Sequence, residues 1–149
     1  MILVDANLLI YSQVSELKEH SAASAWFYEQ LNDSSSRVGL PWPSLLAFVR
    51  IVANPRVFKG STTVTAAWER VERWLDLESV WIPMPTGRHP SVLKRLLAET
   101  GEECDLVPDA HLATLAIEHG LTLCSTDRGF ARFSGLRWEN PLEPRPTHR

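Results

Sequence analysis

Only two cysteines occur in this 149-residue chain, Cys104 and Cys124. They have no metal-binding spacing and are too few for a disulfide framework. They read as reduced core or near-core thiols of a cytoplasmic protein. No run approaches the roughly 20 apolar residues of a membrane span. No basic segment precedes the first apolar run, so a secretory leader is not expected. Positive charge is also scarce: 15 Lys and Arg stand against 18 Asp and Glu, for a net charge of -3. That argues against coating nucleic acid through a basic surface, while leaving local binding open. Glycine is sparse, and no Gly-x-Gly-x-x-Gly follows the first apolar run, which excludes the dinucleotide fingerprint.

Hydrophobic residues make up 44% of the chain, enough to bury a core and too many for a disordered one. The length fits one domain, placed at residues 1–142, with an irregular, proline-rich tail over 143–149. Ile2-Leu3-Val4 reads as a buried strand, followed by a short helix from Ala6. Helical spacing continues from about Glu16 to Leu31, with Ala23, Trp26, Phe27 and Leu31 on one face. Val38-Gly39-Leu40 is a second strand. A helix starting near Pro43 stops at Asn54-Pro55. Ser61 or Thr62 caps the next helix, whose expected buried face is Val64, Ala67, Trp68, Val71 and Leu75. Val80-Trp81-Ile82 is a strand, and Ser91 to Glu99 is helical. A helix from Asp109 ends at His119-Gly120, and Leu121 to Cys124 is a strand. A short helix near Phe130 leads to a last strand at Leu136-Arg137-Trp138. Alternating strands and helices give an α/β fold, with a central parallel sheet flanked by helices on both faces.

Three acids punctuate these elements. Asp5 ends the first strand, where ligands gather in open α/β sheets. Asp109 opens a helix, whose dipole is expected to hold it ionised. Asp127 follows the strand Leu121 to Cys124 and the pair Ser125-Thr126. Such carboxylates also serve as caps and turn formers. Far apart in sequence, they can meet only through the fold. His111 lies two residues beyond Asp109, so its side chain points away, toward solvent or a structural partner. His20, His89 and His119 show no ligand spacing. Arg50, Arg56 and Lys59 flank Asn54-Pro55 and are read equally as solvated charge or as phosphate contacts.

The segments Val4-Asp5-Ala6-Asn7-Leu8-Leu9, Val107-Pro108-Asp109-Ala110-His111-Leu112-Ala113 and Ser125-Thr126-Asp127-Arg128-Gly129-Phe130 now carry a resemblance. Pro41-Trp42-Pro43-Ser44-Leu45-Leu46-Ala47-Phe48, Asn54-Pro55-Arg56-Val57-Phe58 and Gly135-Leu136-Arg137-Trp138-Glu139-Asn140-Pro141-Leu142 make it more specific. In order and spacing, nearly the whole chain resembles PIN-domain ribonucleases, the VapC toxins of bacterial toxin–antitoxin pairs. The resemblance implies a single PIN-like domain and an endoribonuclease dependent on Mg²⁺ or Mn²⁺. Asp5, Asp109 and Asp127 would be its catalytic, metal-binding residues, with Asn7 and Thr126 orienting them. It further implies an RNA substrate, a cognate VapB-type antitoxin and a homodimer. Large apolar helix residues, among them Trp26, Phe27, Trp68 and Trp74, would supply partner surfaces.

The chain departs from the pattern twice. No acid stands near Ala47, on the helix after the second strand, and none at Gly129. Glu102, Glu103 and Asp105 are possible substitutes. These gaps keep a second reading open, a catalytically weakened PIN module acting as a binding or assembly protein. A phosphatase with Asp5 as nucleophile fits less well. That chemistry wants Asp-x-Asp and a balancing lysine, whereas here Asn7 follows Asp5 and no lysine stands near Asp109 or Asp127.

Overall fold

The computed structural model describes residues 1–145. Five strands and six helices alternate along it. They are β1 (Ile2–Val4), α1 (Ala6–Gln13), α2 (His20–Asn32), β2 (Val38–Gly39), α3 (Trp42–Val52) and α4 (Val64–Leu75). Then follow β3 (Val80–Trp81), α5 (His89–Ala98), α6 (Val107–Glu118), β4 (Thr122–Cys124) and β5 (Arg137–Glu139). Short 3-10 turns occupy Cys104–Leu106 and Arg128–Arg132. The strands form one sheet in the order β3-β2-β1-β4-β5, and every neighbouring pair is parallel. The expected α/β architecture therefore holds. Of the expected tail, 143–145 has neither helix nor strand, and 146–149 lies outside the described residues.

β1 is central because its side chains suit a strand covered on both faces. Adjacent residues of a strand point to opposite sides, and Leu3 and Val4 are both fully buried. Leu3 joins Leu123 under α5 and α6. Val4 joins Val38, Val80 and Cys124 under α1, α3 and α4, together with Phe27 of α2. From β1 the chain moves outward to β2 and β3, then returns to β1's other side at β4. The carboxyl ends of β1 and β4 therefore flank a switch point, where open sheets leave a crevice.

Several boundaries differ from expectation. α2 begins at His20 rather than near Glu16, because α1 runs on to Gln13 and the chain reverses between them. The His20 ring closes this reversal on the Tyr11 carbonyl, 2.9 Å away. The cap of α4 is Thr63, whose Oγ1 accepts from the Ala66 N–H at 3.0 Å. Val64 is exposed, and Trp74 is buried on that helix instead, against Phe27 and Phe48 with ring centroids 5.3 and 4.9 Å away. Cys124 is a buried free thiol as expected, but Cys104 is exposed in the acidic loop before α6.

Helices α5 and α6 are joined by a buried polar clamp. Glu118 Oε1 takes a hydrogen bond from His89 Nδ1 at 2.6 Å. Its Oε2 accepts from the Thr86 N–H and hydroxyl at 3.2 and 2.7 Å. His89 Nε2 meets His111 Nδ1 at 3.1 Å. An ionised carboxylate only accepts, so His89 donates from Nδ1. With both rings neutral, its Nε2 then accepts from His111. His111 is thus structural, turned away from Asp109. Burial works to raise the Glu118 pKa, but the hydrogen bonds from Thr86 and His89 outweigh it and hold the carboxyl below its ordinary range.

A depressed carboxyl pKa gives stability that is present above the unfolded value and lost as pH falls through the folded one. Glu118→Gln keeps the shape and removes the charge. It is expected to lower stability at neutral pH by about 1.5–3 kcal/mol, the range for hydrogen bonds to a charged group. Urea unfolding at pH 7 and at pH 4 checks this: the gap between wild type and variant should narrow at the lower pH.

Candidate functional site

The end of β1 delivers Asp5 to the crevice. Asp5 has extended backbone angles and caps α1, with Oδ1 accepting from the Ala6 N–H at 2.8 Å. Its second oxygen, Oδ2, accepts from the Ser125 hydroxyl at 2.8 Å. Ser125 directly follows β4, beside the end of β1, and is completely buried. Its hydroxyl also accepts from Asn7 Nδ2 at 3.1 Å and from the Asp127 N–H at 3.0 Å. Asn7 Nδ2 reaches Thr126 Oγ1 as well, at 2.9 Å. Asp127 caps the following 3-10 turn, Oδ1 accepting from the Gly129 N–H at 2.8 Å. Trp138 of β5 locks the Ser125 carbonyl through its indole N–H at 3.1 Å.

Asp109 enters from the other side, in the first turn of α6. The helix runs back toward β4, so its amino end lies at the carboxyl edge of the sheet. Burial chiefly raises the Asp109 pKa, the negative charges of Asp127 and Asp5 raise it further, and Arg132 opposes them. The result is a carboxyl pushed up to about 6. The expectation that the helix dipole holds this group firmly ionised is therefore corrected: burial and two like charges outweigh a screened terminal dipole. Asp5 is raised too, mainly by burial and also by Asp127, against the Ser125 and Ala6 hydrogen bonds.

All three sequence-selected acids thus act on one another in one crevice. Asn7 and Thr126 hydrogen-bond each other, and Asn7 also bonds Ser125, so their link to the acids runs through the Ser125 hydroxyl. Asn7 Oδ1 is buried with no hydrogen-bond partner, an unspent oxygen within an acidic neighbourhood. Among the described residues, no three His, Cys, Asp or Glu side chains gather closely enough to enclose an ion by themselves. Asp5 Oδ1 and Asp127 Oδ1 are committed to capping and Asp5 Oδ2 to Ser125, and α3 adds no acid: Ala47 is half-buried and Phe48 is core. At Gly129, a Cβ would stand 3.0 Å from Asp127 Oδ1, so a side chain there would crowd that carboxylate. Glu102, Glu103 and Asp105 lie on the exposed loop before α6, with Glu103 Oε2 3.9 Å from Arg132.

Two members of this neighbourhood escaped the sequence reading. Ser125 was visible only as half of a polar pair after a strand. Its signal was a small hydroxyl residue between a buried strand and an acid. Arg132 sits five residues after Asp127, and nothing in the spacing ties it to Asp109. Conversely, Arg50, Arg56 and Lys59 lie at or beyond the far end of α3. At 1.5 Å per residue, that helix carries them about 16 Å from the edge where it starts. They are exposed and fit solvated charge.

The PIN domain family matches residues 2–136. Among curated relatives, Ribonuclease VapC37 of Mycobacterium tuberculosis is 39% identical over 141 residues, covering 95% of this chain and 97% of its own. Ribonuclease VapC43 of the same organism is 37% identical over 143 residues, covering 96% and 97%. Two solved structures share the fold at low identity. A FitAB assembly bound to an IR36 DNA fragment aligns with TM-score 0.70 and 19% identity, over 99% of this chain and 100% of that one. VapBC-1 from nontypeable Haemophilus influenzae aligns with TM-score 0.66 and 18% identity, over 96% and 100%. With its acids placed at the switch point of the sheet and its relatives matched nearly end to end, this chain belongs to the PIN-domain family, alongside the VapC ribonucleases.

Proposed function

We propose that this protein is a metal-dependent endoribonuclease toxin, held in check by a VapB-type antitoxin. The observation that carries this is the meeting of Asp5 and Asp127 through Ser125 at the ends of β1 and β4, with Asp109 near enough that burial and both their charges raise its pKa. The relatives named above are ribonucleases, and VapBC assemblies share the fold. The donor set suits Mg²⁺ or Mn²⁺: oxygen atoms only, with excess negative charge and an unpartnered amide oxygen on Asn7. An oxygen-ligand site built from few protein groups fits Mg²⁺, which keeps several waters. Asp5, Asp109 and Asp127 would hold the ion. A bound divalent cation there would supply Lewis acidity toward a phosphate and an activated water.

The chain's own residues do the positioning. Ser125 fixes the Asp5 carboxylate and the Asp127 backbone together. Asn7 ties α1 to the Ser125-Thr126 segment. Asp109, with a pKa of about 6, can carry a proton near neutrality when no cation is bound.

The second reading, a weakened module that binds without cutting, draws on the missing acid at Ala47. One experiment separates the two. Purified protein is incubated with total RNA, with and without Mg²⁺ or Mn²⁺, and new ends are mapped. Metal-dependent cleavage is expected, and Asp5→Asn should reduce it by at least about 100-fold, the scale on which a positioned catalytic group acts. Equal cleavage by folded Asp5→Asn would falsify the assignment.

The pKa directions give a separate test. A carboxyl whose folded pKa is raised contributes stability below its unfolded value and loses it as pH rises through the folded one. For Asp109 that window runs from 3.8 to about 6. Metal-free protein should therefore carry a standing penalty above about pH 6 that a bound cation relieves. Mn²⁺ is expected to raise the thermal midpoint clearly at pH 7.5 and much less at pH 5. No shift at either pH, at saturating Mn²⁺, would favour the non-catalytic reading.

Homodimerisation belongs to the same proposal, on a surface that keeps Trp68 of the expected residues but not Phe27 or Trp74. Phe27 and Trp74 are core residues. On α3 and α4, Trp42, Leu46 and Val64 are exposed, with Trp42 stacked on the expected Trp68, ring centroids 6.3 Å apart; Tyr28 of α2 and Met84 are exposed elsewhere. Sedimentation should show a dimer, and Leu46→Glu should shift it toward monomer. A monomer across the concentration range would remove this part of the proposal. Among the described residues no helix is long and apolar enough to cross a membrane. The free thiols suit the cytoplasmic setting we assign.

A further inference from the structure

An acidic crevice repels the substrate proposed for it. RNA brings a phosphate of the same sign as Asp5, Asp109 and Asp127. A cation on the chain itself is therefore needed to seat that phosphate, beyond what a metal provides. The arginines nearest in sequence to the site differ in whether they are free to do this. Arg128 is tied to Glu143, its Nη2 2.6 Å from the carboxylate. Arg95 is engaged by Ser134 and Glu99. Arg137 donates to the Gly120 carbonyl.

Arg132 is held differently. It closes the 3-10 turn that Asp127 caps. Its Nε donates to the Gly129 carbonyl at 3.2 Å, fixing the inner edge of the guanidinium. Its Nη1 stands 3.9 Å from Glu103 Oε2, beyond hydrogen-bond range. The side chain is 37% exposed. The guanidinium thus sits between the Asp127 turn and the loop that leads into α6, the helix whose first turn bears Asp109. Its outer fork remains uncommitted. A fork of this kind matches a phosphate bidentately. Its charge is also felt at Asp109, whose pKa it opposes raising.

We infer that Arg132 binds a phosphate of the RNA at the acidic crevice, with Glu103 as its loose counter-ion when RNA is absent. This rests on the ribonuclease reading, and names the residue that seats that enzyme's substrate. An alternative role is available on the same geometry: Arg132 only offsets the charge of Asp109.

The test uses a fluorescein-labelled single-stranded RNA in an Asp5→Asn background, with anisotropy titrations over a range of salt and EDTA present. Each phosphate contact to a single strand contributes about 0.7 to the slope of log affinity against log salt. Arg132→Gln should lower that slope by about 0.7 and weaken binding roughly 10-fold at low salt. Arg132→Lys restores charge without the fork, and should recover the slope. Glu103→Gln should leave binding equal or tighter. In the otherwise native protein, Arg132→Gln should lower kcat/KM with part of the loss in KM. Thermal midpoints confirm that each variant is folded. Unchanged slope and affinity in folded Arg132→Gln would overturn the assignment and leave only the charge-offsetting role. If native protein cuts RNA normally while that variant does too, only Arg132 is wrong. If native protein neither binds nor cuts RNA, the ribonuclease reading falls and Arg132 falls with it.

Discussion

The Ser125 hydroxyl has one hydrogen to give and two lone pairs to fill, and the structure uses all three. It donates to Asp5 and accepts from Asn7 and from the backbone of Asp127. It does so with no exposure to water, where leaving any of these groups unpaired carries the full desolvation cost. A saturated, buried hydroxyl cannot rotate to suit a different neighbour. The relative placement of the β1 end, the start of α1 and the turn after β4 follows from this one group. Trp138 then fixes its backbone from β5.

Two parts of the molecule treat buried carboxylates in opposite ways. Glu118 receives three hydrogen bonds from Thr86 and His89 and sits below its ordinary pKa range despite burial. Asp5 and Asp109 receive too few donors, face other acids and sit above theirs. The residue chemistry is nearly the same, and the depth of burial, the donors supplied and the sign of the neighbouring charges decide between them. The first arrangement fastens α5 to α6. The second leaves charge unresolved where a cation could resolve it.

Much of the scaffold was legible because it is written locally. Alternation and buried runs located β1, β2, β3 and β4, and Pro43 and Gly120 marked a helix start and end. Asp5, Asp109 and Asp127 could be picked out because each stands at the end of an element. What stayed hidden depends on pairs distant in sequence. Ser125 gains its meaning from Asp5, His89 from Glu118, and Arg132 from a loop some thirty residues earlier. No periodicity encodes such meetings. The misplaced start of α2 and the wrong cap on α4 are smaller matters, in which one polar residue was preferred over its neighbour. The exposed Val64 and buried Trp74 show why spacing alone misleads: it defines a stripe, while the packing partner decides how much of the stripe is covered.

β1 is the central strand, yet it is made from the beginning of the chain and pairs with β4, which arrives near the end. The hydrogen bond between Asp5 and Ser125 spans 120 positions. Contacts of such long range form late, because the loop between them must first be closed. During synthesis at about 5–20 residues per second, the amino-terminal half emerges with its middle strand lacking one neighbour. The three acids can meet only once the segment through Asp127 has left the ribosome. A nascent chain therefore carries no assembled set of acids until β4 and the turn after it have joined β1.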